Sequence, residues 1–112
     1  GVIQMIKVSV SYRGSSILHL SITGHAMSAK RGQDLVCASV SSIATGALNA
    51  LDRMVSKACD LTLVKGEDAL IEIKVLENGN HDVQIILQTV LAQLETIENQ
   101  YSKYIHIAKQ EV

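Results

Sequence analysis

Apolar and polar residues alternate along residues 5–13 (MIKVSVSYR), with Ile6, Val8, Val10 and Tyr12 on one face and Lys7, Ser9, Ser11 and Arg13 on the other. A period of two is that of a half-buried strand. Gly14, Ser15 and Ser16 make a turn, and residues 17–23 continue as a second strand with Leu18, Leu20 and Ile22 facing inward, so the two form a hairpin. Residues 24–33 (GHAMSAKRGQ) have neither period, include Gly24 and Gly32, and read as a loop. At Asp34 the period changes. Val36, Val40, Ile43, Ala47, Leu51 and Met54 recur at helical spacing behind an aspartate suited to cap the helix. No charged residue occurs between Leu35 and Leu51. A helix without a charged side is covered on more than one face, which puts this one in the middle of the fold or in a subunit interface. Gly46 within it costs up to about 1 kcal/mol against alanine, and suggests a close backbone approach there.

Residues 60–65 and 69–76 predict a second hairpin around Gly66, Glu67 and Asp68, its later strand alternating Leu70, Glu72 and Lys74 against Ile71, Ile73 and Val75. Residues 77–80 (ENGN) break the chain, and Asp82 is the expected cap of a second helix. Val83, Ile86, Leu87, Val90, Leu94, Ile97 and Tyr101 trace one stripe of it. Gln84, Gln88, Gln93, Glu95 and Glu98 fall off that stripe and are expected to face water. Alternation returns over residues 104–111 (YIHIAKQE), a last strand. The order ββαββαβ defines an α+β fold, with two hairpins, two helices and a C-terminal strand, the helices packed on an antiparallel sheet. Connections are short, and residues 1–112 read as one domain. The two ββα halves share a pattern but not a sequence.

Composition narrows the functional classes. At 112 residues with 47% apolar and 19% charged, the chain is long and apolar enough to bury a core without disulfides. Phe, Trp and Pro are absent, so Ile, Leu, Val and three Tyr must build that core. A net charge of −1 is the wrong balance for coating nucleic acid, so direct nucleic-acid binding is not expected. No apolar run is read as approaching the ~20 residues of a membrane span. The N-terminus lacks the basic start and apolar stretch of a secretory signal. These features predict a cytoplasmic protein, in which Cys37 and Cys59 are thiols rather than a disulfide. Two cysteines, with His19, His25, His81 and His106 outside any CxxC or HxxxH spacing, provide no zinc site; neither a metal nor a cofactor is expected. Gly1 to Gln4 precede the first strand pattern and read as a remnant ahead of a start at Met5.

Chemistry concentrates around the loop. With Asp34 as cap, Cys37 is the third residue of the helix, where the positive dipole end and unpaired N–H groups favour a thiolate. His25 ends the second strand, and the loop after it returns the chain to Asp34. The imidazole can therefore lie beside the sulfur, with Cys37 as nucleophile, His25 as its base or imidazolium partner, and helix-start amides as oxyanion donors. The other reading is structural: a lone cysteine on a buried helix is commonly a small core residue. Asp34 has a similar pair of roles, capping the helix or orienting His25. Its charge opposes the dipole at Cys37. Ser41 lies one turn beyond Cys37 on the same face, either in the site or bonded back to a carbonyl. Gly24 and Gly32 give the loop backbone freedom. Cys59 reads as structural, and His19, His81 and His106 have no partner that spacing identifies.

The same residues carry a resemblance. T-G-H-A at residues 23–26, a short loop, and G-x-D-L-V-C-A-S-V-S at residues 32–41 resemble the signature of the ribosomal-processing cysteine protease family, Prp. The likeness extends over nearly the whole chain, from the MIKV start to the final YxKYIxI-type strand. It implies an α+β homodimer that cleaves a short N-terminal extension from a protein of the bacterial large ribosomal subunit. The implied cut follows an apolar stretch ending in an aromatic residue. By motif match His25 takes the catalytic histidine and Cys37 the nucleophile, while Asp34 and Ser41 fall on polar positions that assist. Ser39 stands where the family more often has Ala, and Gln33 where a bulkier residue is common; both bear on the substrate loop rather than on activity. The loop over residues 26–33 would be a lid, and the uncharged face of the first helix a dimer surface. Two readings from other classes stand beside this one: a non-catalytic ribosome- or RNA-associated module, and a thiol redox sensor using Cys37. Lack of stacking aromatics on the strands counts against the former.

Overall fold

The computed structural model describes residues 5–24, 33–66 and 68–112. Its elements, in chain order, are β1 (Ile6–Arg13), β2 (Ser16–Thr23), α1 (Gln33–Met54), β3 (Cys59–Val64), β4 (Leu70–Val75), α2 (His81–Gln100) and β5 (Ile105–Glu111). This is the ββαββαβ order that the alternation predicts. The strands make one sheet in the order β3-β4-β2-β1-β5. β1–β2, β2–β4 and β3–β4 pair antiparallel, whereas β5 runs parallel to β1, with Ile6 opposite Ile105 and Val8 opposite Ile107. Parallel neighbours need a crossover, and α2 supplies the one from β4 to β5. α1 carries the chain from β2 to β3, passing β4.

One face of the sheet is covered. Ile6, Val8, Val10, Leu20, Ile22, Ile71 and Ile73 are buried together with Val36, Val40 and Leu51 of α1 and Val83, Leu87 and Leu94 of α2. The opposite face is polar, with Lys7 and Ser9 exposed and His19 and Ser21 half-buried. An antiparallel sheet with one wet face gives the clean alternation seen in the sequence.

Strand β2 departs from the expected phase. Ser11 pairs with His19, but Tyr12 pairs with Ile17, so Leu18 is an extra residue in the ladder. The bulge turns Ile17 fully inward and leaves Leu18 only half-buried, reversing the expected roles of the two. Helix α2 is capped two residues earlier than expected. Asn80, not Asp82, is the N-cap: its Oδ1 accepts from the Val83 N–H at 3.0 Å. Two residues assigned to water turn to the sheet instead. Gln84 bonds both backbone groups of Ile17, and Glu98 accepts from the Ile107 N–H at 2.7 Å on the outer edge of β5. Lys109 adds an ion pair with Glu95 at 3.2 Å along that edge.

Helix α1 has one buried side, comprising Val36, Cys37, Val40, Ala44, Ala47 and Leu51, while Leu35 and Met54 are exposed. By length and composition its Leu35–Met54 stretch matches a membrane span, which the sequence was not expected to contain. Its buried side belongs to the core and its other side, with Ser42, Thr45 and Asn49, is exposed, so within this chain it is covered on one face and not on more than one. Gly46 meets no close backbone: a Cβ there has nothing within 4 Å.

Candidate active site

The end of the sheet where β2 finishes is also where β1 and β4 begin and β3 ends, since Thr23 pairs with Lys7 and Leu70, and Leu70 with Val64. The description of the chain ends there at Gly24 and resumes at Gln33, in α1. Gly24 has φ +76°, a left-handed conformation that side chains resist. A Cβ at this position would lie 2.7 Å from the Met5 carbonyl oxygen and 3.4 Å from the Ile6 Cα. Only glycine permits both the turn and this approach.

The described part of α1 begins at Gln33, so Asp34 is helical rather than ahead of the helix, and Cys37 is the fifth of the described helical residues. The i→i−4 pattern then engages the Cys37 N–H, and the helix's unpaired amides are upstream of it. Helical side chains slant toward the N-terminus and cover the preceding turn. The Cys37 side chain is accordingly directed back over the turn that carries those amides. It is 2% exposed and belongs to the hydrophobic core of the domain. Ser41 sits one turn further along, half-buried. Ser39, where the resemblance has a departure, donates to the Leu35 carbonyl at 2.8 Å, a bond internal to the helix.

The remaining site expectations, His25, Gly32, the lid over residues 26–33 and the side chain of Asp34, lie outside the described residues. Among the described residues no group of three or more His, Cys, Asp or Glu side chains gathers as a metal site.

The two thiols form no disulfide, and their settings differ. Cys59 opens the edge strand β3, where burial and then the nearby Glu77 carboxylate push its thiol pKa up. A thiol so held is protonated at neutral pH and a poor nucleophile. His19, for which spacing identified no partner, bonds Glu72 at 2.8 Å on the open face of the sheet. His106 Nδ1 stands 3.8 Å from Glu98. Both pairings are cross-strand or strand-to-helix contacts that emerge only once register is known.

A buried cysteine in the early turns of the core helix of an α+β domain is a setting in which a thiol peptidase can hold its nucleophile. The family model described as cysteine protease Prp matches residues 5–106, and the chain belongs to that family. The ribosomal processing cysteine protease Prp of Mycoplasma pneumoniae is 34% identical over 108 residues, covering 95% of this chain and 96% of that protein. Its Staphylococcus aureus counterpart is 29% identical over 102 residues, 91% and 94% of the two chains. Among solved structures, the essential ribosomal processing protease Prp from S. aureus in complex with a substrate peptide superposes with a TM-score of 0.84 at 28% identity, covering 94% of this chain and 99% of that one. The S. aureus protease with a covalently linked product peptide gives 0.81 at 29%, with the same coverage. The chain is a cysteine protease.

Proposed function

We propose that this protein is the endopeptidase that removes a short N-terminal extension from a bacterial large-subunit ribosomal protein, with Cys37 as nucleophile and His25 as its acid–base partner. Family membership over residues 5–106, which take in both helices and β1 to β4, with a relative that holds a covalently linked product peptide, is the observation that carries this reading. The Cys37 sulfur, its proton taken by His25, attacks the scissile carbonyl carbon. The oxyanion is held by unpaired amides in the first turn of α1. The C–N bond then breaks as His25 returns the proton to the leaving amine, leaving a thioester on Cys37. Water, deprotonated by His25, hydrolyses the thioester and frees the thiol. Asp34 and Ser41 assist, Asp34 by orienting the imidazole, and Gly24 and Gly32 bound the loop that meets the peptide. The substrate is made in the cytoplasm, and the enzyme acts there.

The enzyme works as a homodimer joined through the outer side of α1. A groove of about 410 Å³ between the helices is lined by uncharged residues, among them Ser42, Gly46 and Ala50 of α1 with Ile85, Thr89 and Gln93 of α2. Sedimentation should give a dimer that Gly46→Arg converts to monomer; a monomeric wild-type protein would remove this part of the reading.

The activity is tested with a peptide copying the junction between extension and mature ribosomal protein. Cys37→Ala and His25→Ala should each abolish cleavage while retaining the native circular-dichroism spectrum and melting transition. Full cleavage by either folded variant would overturn the assignment.

A further inference from the structure

We infer that the outer edge of β3 is a docking strand for the substrate: the apolar stretch ahead of the cut adds to it as a sixth strand, with Leu63 as its main side-chain contact. The inference rests on the proposed endopeptidase reading and concerns where that enzyme grips its peptide. The sheet has two edges, β3 and β5. That of β5 is guarded, since Glu98 accepts from the Ile107 N–H and Lys109 pairs with Glu95. Along β3, Leu61, Thr62 and Leu63 carry no charge, and among the described residues no partner bonds its outer main chain. One row across the sheet runs Ile107, Val8, Ile22, Ile71 and Leu63. Ile71 is 1% exposed, whereas Leu63 beside it is 47% exposed, and Val64 is exposed as well. Helix cover runs out at β3, and a further strand would set one more apolar side chain next to Leu63. Open edges accept extended peptides, whose main chain continues the ladder while alternate side chains set specificity.

The edge also leads to the helix of the nucleophile. β2 and β3 both pair antiparallel with β4, so they run the same way, and α1 connects them. Such a connection returns the chain from the end of one strand to the start of the next. α1 therefore begins at the end of the sheet where β3 finishes with Leu63 and Val64, and Cys37 is in its early turns. The extension of the substrate runs toward its cut, so it lies parallel to β3 with the scissile bond at that end.

Binding is read on the full chain carrying Cys37→Ala, with a fluorescently labelled peptide copying the junction, so that docking is measured without cleavage. Adding Leu63→Glu should weaken Kd by about fivefold or more with the melting temperature retained. Leu76→Glu, at an exposed position beyond the far end of β4, should leave Kd unchanged. N-methylation of single amides in the apolar stretch of the peptide should weaken binding at every second position only, because alternate N–H groups of an added strand face β3. This second measurement needs no change in the protein and decides if Leu63→Glu does not fold. A smaller change of Kd in folded Leu63→Glu, or N-methylation effects without a period of two, would overturn the inference. So would a Leu63→Glu variant that loses a dimer while keeping peptide binding, which would assign the edge to a second copy of the chain. Failure of the endopeptidase reading is a separate result: the wild type would leave the bound peptide uncut.

Discussion

The side-chain amide of Gln84 pairs with both backbone groups of Ile17, its Oε1 accepting from the N–H at 2.7 Å and its Nε2 donating to the carbonyl at 2.8 Å. β4 pairs with β2 only from His19 onward, so Ile17 lies past the end of that ladder. One glutamine of α2 supplies the donor and acceptor that another strand residue would have given. Buried main-chain groups left without partners are costly, and Ile17 is fully buried.

Replacing Gln84 by Met, which retains length and removes both hydrogen bonds, should therefore destabilise the protein by about 1–3 kcal/mol. Urea denaturation, with an unchanged dependence on denaturant, is the measurement. A loss of less than about 0.5 kcal/mol, as at ordinary surface positions, would show that water replaces the glutamine.

The cap of α2 gives a paired prediction. Asn80→Ala should cost about 1 kcal/mol, because the Val83 N–H loses its acceptor. Asp82→Ala should cost less, since Asp82 contributes only a favourable charge in the first turn. Equal losses, or the reverse order, would return the cap to Asp82.

Cys59 links stability to alkaline pH. Burial, with a smaller contribution from Glu77, raises its folded-state pKa, so the folded protein retains a proton that the unfolded chain releases. The stabilisation is fully present below the unfolded thiol value of about 8.5 and is lost as pH rises through the folded value. Melting temperature should accordingly fall from pH 8 to pH 10 more steeply in the wild type than in Cys59→Ala. The thiol should also be alkylated more slowly in the native protein than in urea.

Glu72 behaves in the opposite sense. The hydrogen bond from His19 lowers its carboxyl pKa, aided by the charge of Lys74 and opposed by partial burial. Its contribution is present above the usual carboxylate value of about 4.3 and is lost as pH falls through the lowered value. Carboxyl NMR titration should find Glu72 below the usual range in the wild type. In His19→Ala its midpoint should move upward, and by more than in Lys74→Ala.

These residues also explain what could be read before the fold was known. Alternation located β1, β2, β4 and β5 because one face of the sheet is dry and the other wet, while β3 was legible as the hairpin partner of β4. It does not record direction, so the parallel pairing of β5 with β1 emerged only from register. Nor does it mark a bulge: Leu18 and Ile17 are both apolar, and a single extra residue exchanges their faces without any change in composition. Gln84 and Glu98 read as solvated because their partners are main-chain groups distant in sequence, invisible to any local pattern. The cap of α2 was misplaced because Asn80 and Asp82 are both good caps, and only geometry separates them. Cys37 was legible through its motif, yet its burial and its place one turn into α1 were not. Gly24 could be recognised as a loop glycine, whereas the Met5 carbonyl beside it required the hairpin register.

The position of β5 has a consequence for synthesis of the protein itself. β1 is made first but lies between β2 and β5, so one of its edges stays open until residues 105–111 have left the ribosome. Both helices and four strands are translated before that moment. A nascent chain can therefore pair β1 with β2 early, yet β1 gains its second neighbour only with β5. β1 is thus an edge strand while the chain is being made and an interior strand once the sheet is complete.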